Sequence, residues 1–379
     1  MIFDLLQIIL DIQDMKKIFI LLLGFTFLTC RETKMDELPA IPVDVDQNMS
    51  LSISAITEEI KAIELELTDE SMINPDRILR ILLSDNHVIV AERDKILLFN
   101  MDGTFVRSIG NRGQGPGEYV TITNLTVDRK NNRLFVGSNK IISYDLNGNL
   151  LKESPVDPDN MPVKDINYIN DELLIMVEQV GKKDSKGSFQ HSVVYKLNED
   201  LQIIDSCTIR DTYFEQTAKS AHIFQNFLLF GNDIIFLYYS DIYSNRQVPS
   251  ENVLRDTLYT LKNNHLFPEL KLKFKNDGVD GYGNKFIQLY NVYRSSRYVF
   301  AFYRNDVKGG FYHFCYDMKT GTGFNMQDGY TDDINKIEKP LSIRPINTNT
   351  ELFYYWHTHM SPDDIEEPNP TLYIGKLKN

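Results

Sequence analysis

An aromatic residue followed at once by a polar turn recurs six times along this chain, and that recurrence limits the available folds more than any other feature. The copies are Phe99 (FNMDGTFV), Tyr144 (YDLNGNLL), Tyr195 (YKLNEDLQ), Tyr259 (YTLKNNHL), Tyr316 (YDMKTGTG) and Tyr373 (YIGKLKN). Upstream of each lies a more apolar segment opened by a polar turn, at 85–90, 131–136, 170–177, 231–238, 295–302 and 348–356. Successive aromatics stand 45, 51, 64, 57 and 57 residues apart, the length of a four-stranded antiparallel unit plus insertions. Asp102-Gly103 and Asn147-Gly148 tolerate positive φ at both central positions, which predicts tight hairpins into a fourth strand.

The sixth unit is incomplete, because only six residues follow Tyr373. Conversely, Ala62–Leu67 (AIELEL) alternates apolar and polar ahead of the first unit and has no local partner. Pairing it into the last unit removes the two open sheet edges that a linear array would expose to aggregation. The expected fold is therefore all-β: a six-bladed β-propeller of four-stranded antiparallel blades over residues 51–379, closed by an N-terminal strand that completes the last blade.

Between the first two units runs Gly110–Tyr119, GNRGQGPGEY. This loop, following Ser108-Ile109-Gly110 and the FNMDGTFV hairpin, resembles the six-bladed β-propeller lipoproteins of Gram-negative bacteria, relatives of the NHL and TolB-like propellers. The resemblance spans about residues 56–377 and implies chiefly a fold, since propellers host binding, scaffolding and catalysis alike. Gly113, Gly115 and Gly117 do not make a nucleotide site, because such a site needs a helix opening directly after the glycines, and 119–127 reads as strand. Pro116 and the glycines instead shape a crossing from the outer strand of one blade to the inner strand of the next. Arg112, Glu118 and Tyr119 in this joint are candidate ligand contacts; a structural role across the joint is the competing reading.

Met15–Cys30, MKKIFILLLGFTFLTC, carries two lysines, an apolar run too short to span a bilayer comfortably, and a cysteine. Residues 1–30 are thus expected to be a signal peptide whose Cys30 resembles the lipidated first residue of a bacterial lipoprotein. Asp4, Asp11 and Asp14, with no positive charge among residues 1–14, point to Met15 as the start. Residues 31–50 are polar and Pro-containing, the composition of a flexible tether. The expected location is the cell envelope, anchored to a membrane by lipid. Cys207 and Cys315 fall on non-neighbouring units and are expected to be buried free thiols.

Lys and Arg number 40 against 53 Asp and Glu, without a basic cluster, which excludes a phosphate-binding nucleic-acid surface. In an up-and-down blade, the blade-to-blade joints and the loops between second and third strands emerge on one face. The insertions 178–191, 239–255, 304–311 and 357–369 therefore share a face with the glycine loop, and a looped face on a rigid scaffold is where binding is expected. Trp356, His357 and His359 stand at a strand end on this face. The two histidines have zinc-like spacing but no third ligand, and Trp356 beside Tyr354 and Tyr355 suits a sugar or the core equally.

Asp277, Asp280 and Asn284 in NDGVDGYGN are the candidate calcium ligands, although Ile287 stands where a bidentate Glu would complete the loop. Solvated turns account more economically for these residues and for Asp328, Asp332, Asp333, Asp363, Asp364, Glu366 and Glu367. No GxSxG, HExxH or CxxC motif is present. The reading is an exported, lipid-anchored propeller that binds a ligand or protein on its looped face. The alternatives are a calcium-dependent hydrolase or lactonase-like enzyme and a carbohydrate-binding accessory protein.

Overall fold

Short runs rich in Ile, Leu, Val and aromatics form strands throughout the computed structural model. It describes residues 38–155, 163–184, 187–214, 220–221, 227–230, 234–238, 242–243, 250–251, 256–275, 286–346, 349–360 and 367–379. Blade one is Ile78–Leu83, His87–Glu92, Ile96–Asn100 and Phe105–Ser108, hydrogen-bonded in sequence order. Blade two runs from Asn124–Asp128 to Leu150–Pro155, and blade three from Val163–Ile169 to Ile203–Phe214. Blade four runs from Phe227–Phe230 to His265–Phe274, and blade five from Ile287–Arg294 to Thr322–Gln327. Blade six has Arg344–Ile346, Asn349–His357 and Thr371–Leu377 from the C-terminal end.

The fourth strand of blade six is Thr57–Glu64, antiparallel to Thr371–Leu377 with Ala62 opposite Tyr373. The closure expected from AIELEL is present, shifted toward the N-terminus. The strand starts within TEEIK, whose charges hide the alternation because an outermost strand buries little of itself.

The boundary at residue 50 needs correction. Ala40–Val43 adds to the outer edge of blade four, parallel to Lys271–Phe274. Val45, Leu51, Ile53 and Ile56 are then buried as the chain crosses toward blades five and six. Met49 N donates to Asn325 O (2.7 Å), Lys308 Nζ to Val45 O (2.7 Å), and Asp46 pairs with both Lys275 and Lys308 at 3.0 Å. Ile41, Val43 and Val45 alternate, and it is this short apolar row that fixes a stretch whose overall composition reads as tether.

The first two hairpins also differ from expectation. Gly103 (φ 93°) and Gly148 (φ 85°) lie in the left-handed region while Asp102 and Asn147 do not. Gly103 N donates to Asn100 O and Asn100 N to Thr104 O, both at 2.9 Å, a type I turn closed by a bulged glycine rather than a two-residue turn. Of the two thiols, Cys315 is buried but Cys207 is half-buried on an outer strand, its Sγ donating to Asn264 O at 2.7 Å.

The core lies between blades. Separate apolar clusters fill the contacts of blades one with two, two with three, three with four, and six with one. Blades four, five and six share one larger cluster with the residue 41–56 strap. Phe99, Tyr144 and Tyr373 are buried in these seams and Tyr195 and Tyr316 pack half-buried against them, which is why an aromatic recurs on the third strand.

One charge crosses the inner strands. Arg80 of blade one is fully buried, its guanidinium 3.7 Å from Asp165 of blade three and donating to Leu125 O of blade two. Asn124 Nδ2 donates to the same Asp165 carboxylate at 2.5 Å. Burial draws the Arg80 pKa down to about 10.

Arg80→Ala removes the buried cation beside Asp165 and the donor to Leu125 O, and is expected to cost about 3–5 kcal/mol, read from the denaturant midpoint. A second expectation concerns acid. His313, packed against Phe302 and Tyr330, has its pKa pushed down to about 4 by burial, whereas the unfolded chain takes that proton near 6.5. Stability contributed by the neutral ring is therefore intact above about pH 6.5 and lost as pH falls toward about 4. In melting curves recorded against pH, His313→Phe flattens that limb.

Candidate functional site

The joint from the closing strand into blade one, residues 66–77, is fixed by its own polar side chains. Ser71 Oγ donates to Glu66 O and accepts from Thr68 N, each at 2.7 Å. Asn369, brought from blade six, accepts from Ile73 N (2.7 Å) and donates to Glu66 O (2.8 Å) and Ser71 O (2.9 Å). Asn74 N donates to Glu92 Oε1 at 3.0 Å, and Asn74 Oδ1 caps the turn Pro75–Arg77 through Asp76 N.

Opposite this joint stand the blade five to six joint at 339–344 and the strand end 355–358. Between them opens a cleft of about 1080 Å³, with Lys95 and Glu367 on its walls. Its lining is thus drawn from joints and second-to-third-strand connections, the segments expected to share a face. The same pairing occurs at blade one, where Ile122 N of the next joint donates to Arg93 O at 2.8 Å.

The chain's single tryptophan, Trp356, lies on this cleft with Arg344 Cζ 4.7 Å over its ring. Both belong to blade six, where Arg344 pairs across the strands with Tyr354, two residues before Trp356. His357 also lines the cleft, and burial, His359 and Lys339 hold its pKa below the ordinary imidazole value against the pull of Asp332. It is neutral near pH 7 and able to donate and accept. Two lining cations are matched: Arg77 with Asp94 (2.6 Å) and Lys95 with Glu92 (3.2 Å).

Of the sequence candidates, Trp356 and His357 meet here. His359 is adjacent, 4.6 Å from the His357 ring edge-to-face, with Nε2 2.8 Å from the Tyr373 hydroxyl. Arg112, Glu118 and Tyr119 lie in the joint between blades one and two, and none of them lines the cleft. Glu118 Oε2 accepts from Gly115 N (2.8 Å), and a Cβ on Gly113 would meet that carboxylate at 2.0 Å. The glycines therefore make room for Glu118. Tyr119 is buried, its hydroxyl donating to Ile109 O (3.3 Å), while Arg112 is exposed.

Asp332 differs from the solvated turn expected of it. It is buried, caps Ile334 N and Asn335 N, and accepts from the Tyr355 hydroxyl at 2.9 Å. The proposed calcium ligands Asp277, Asp280 and Asn284 lie outside the described residues, as does Cys30. Among the described residues, no group of three or more His, Cys, Asp or Glu is placed to hold a metal ion. The insertion at 178–191 is largely strand, because the second and third strands of blade three extend through Glu172–Asp184 and Gly187–Leu197. Sequence reasoning missed Arg344, Lys339 and Asn369. Only the lone polar Asn369 between two prolines gave any local sign.

Asn369→Ala removes three buried partners at once and is expected to cost about 2–4 kcal/mol. Hydrogen exchange checks it: the amides of residues 66–73 lose protection more than those of blades two to five.

Residues 38–378 match the family model described as "Domain of unknown function (DUF4934)". Among curated proteins, none matches the sequence. Among solved structures, the chain is similar to a protein of Bacteroides fragilis NCTC 9343 assigned as exported (BF0058), at 15% identity and TM-score 0.59, over 90% of this chain and 99% of that one. Lower similarity is found to the β-propeller domain of Myceliophteria thermophila Cps50 (Swd1), at 11% identity and TM-score 0.41, over 81% and 99%. The Neurospora crassa Pan2 WD40 domain follows at 12% and 0.40, over 79% and 75%. At such identities the likeness is one of fold.

Proposed function

This chain belongs to the DUF4934 family, and from that premise we propose that it is an exported, lipid-anchored binding module whose ligand enters the cleft between blades six and one. The observation that carries this is the convergence of separate joints and loops on one cleft around Trp356. A rigid ring supplies the walls, Asn369 and Glu92 pin one of them, and the lining mixes apolar Met72, Leu341 and Trp356 with Asn74, Ser342 and His357. Ligand sites are concave and orient what they bind through a few placed polar groups, and this cleft supplies both apolar and polar surface.

Export and anchoring rest on Met15–Cys30, and the description of the Bacteroides fragilis neighbour as exported supports export alone. A ring presenting its joints as a fixed surface suits recognition, since binding then orders few side chains.

Because Trp356 is the chain's only tryptophan, its emission reports the cleft directly. Purified protein in detergent is titrated with calcium, oligosaccharides and peptides while emission and melting temperature are followed together. A cleft ligand shifts both, and Asn369→Ala weakens its binding. A ligand at about 100 times its dissociation constant raises stability by roughly 2.7 kcal/mol. A melting shift with unchanged Trp356 emission places binding elsewhere and overturns the cleft assignment. Calcium producing that result directs attention to the loop holding Asp277 and Asp280.

A further inference from the structure

Two of the four cations lining the cleft lack a carboxylate partner among the described residues. Arg77 and Lys95 are engaged by Asp94 and Glu92. The remaining lining acids, Asp76 and Glu367, are exposed. Arg344 is half-buried on an inner strand, and among the described residues neither it nor Lys339 is within ion-pair distance of a carboxylate. One Arg344 nitrogen donates to Ile78 O at 3.4 Å, and the stack on Trp356 fixes the guanidinium plane, so its other N–H groups are presented on a rigid fork. In a chain with a net charge of -13, this cleft is lined by four cations against three acids.

Arg344 beside the indole and Lys339 on the cleft wall, together with Asn74, Ser342, Thr358 and a neutral His357, combine three kinds of recognition. The indole takes an apolar ring face, the amide and hydroxyls take hydroxyl groups, and the cations take a planar or tetrahedral anion. The cleft volume of about 1080 Å³ stands at the top of the range for small-molecule pockets, which favours a short oligomer over a single small metabolite.

We propose that the cleft binds an anionic oligosaccharide, with a carboxylate or sulfate held by Arg344 and Lys339 and a sugar ring laid against Trp356. The proposal rests on the cleft being the ligand site.

The test follows Trp356 emission in full-length protein in detergent at low salt, with four probes: an oligogalacturonate hexamer, a heparin-derived hexasaccharide, maltohexaose and hexaglutamate. One or both acidic sugars are expected to shift emission with saturation, and maltohexaose at least tenfold more weakly. The carboxylated and sulfated probes separate the two sources of charge. Lys339 is exposed, so Lys339→Gln leaves the fold intact and is expected to weaken binding several-fold; Arg344→Gln weakens it about tenfold or more. Arg344→Lys retains charge without the fork and gives an intermediate loss, which separates recognition from misfolding.

Equal binding of maltohexaose, or acidic-sugar binding unchanged in Lys339→Gln and Arg344→Lys, overturns the anionic assignment and leaves the cleft reading standing. Saturation by hexaglutamate alone overturns the sugar and makes the ligand an acidic peptide. Calorimetric binding of an acidic sugar with no change at Trp356 overturns the cleft itself, and silence from all four probes at millimolar concentration overturns the proposal.

Discussion

Everything in this molecule depends on the pairing of Thr57–Glu64 with Thr371–Leu377. Six sheets that pack face to face have no stable end of their own, because the first and last would each leave an apolar face against water. A strand that comes before blade one and hydrogen-bonds into blade six converts a row into a ring. It also brings two distant segments side by side: the joint that follows the closing strand and the connections of blade six. The cleft is therefore a product of closure. Its walls come from residues nearly 300 positions apart, such as Ile73 and Glu367.

Around that closure the forces divide by place. Apolar seams between neighbouring blades supply most of the burial, while polar contacts decide alignment. Arg80 reaches from blade one to the inner strands of blades two and three, so three blades share one buried charge and its partner. Replacing such a pair by apolar residues would cost little, but removing one member would cost much. Its effect is to hold the inner strands in one register.

Much of the architecture was legible because it repeats. An aromatic on each third strand, buried in four of the six units and half-buried at Tyr195 and Tyr316, and an apolar second strand leave a mark in every unit, and AIELEL stood out as a strand without a neighbour. The strap was not legible, since Ile41, Val43 and Val45 are three apolar residues in a polar stretch and their partners lie more than 200 residues away. The hairpins were one residue longer than the Asp-Gly and Asn-Gly dipeptides suggested, because only glycine takes the left-handed position. At the candidate site, Trp356 and His357 were found through their place at a strand end. Arg344 and Asn369 act through contacts made across the ring, and no local pattern announces such contacts. The glycine loop drew attention by composition, yet its glycines serve to admit the Glu118 carboxylate.

The direction of the strap strand has a mechanical meaning. Ala40–Val43 runs parallel to Lys271–Phe274, with Ala40 opposite Lys271 and Val43 opposite Phe274. Tension applied along the axis of Ala40–Val43 loads this ladder in shear, drawing on its hydrogen bonds together instead of opening them one at a time. The buried Val45, Leu51, Ile53 and Ile56 stand behind it as a second hold. A pull applied at Ala40 thereby meets both holds before it reaches the closing strand at Thr57.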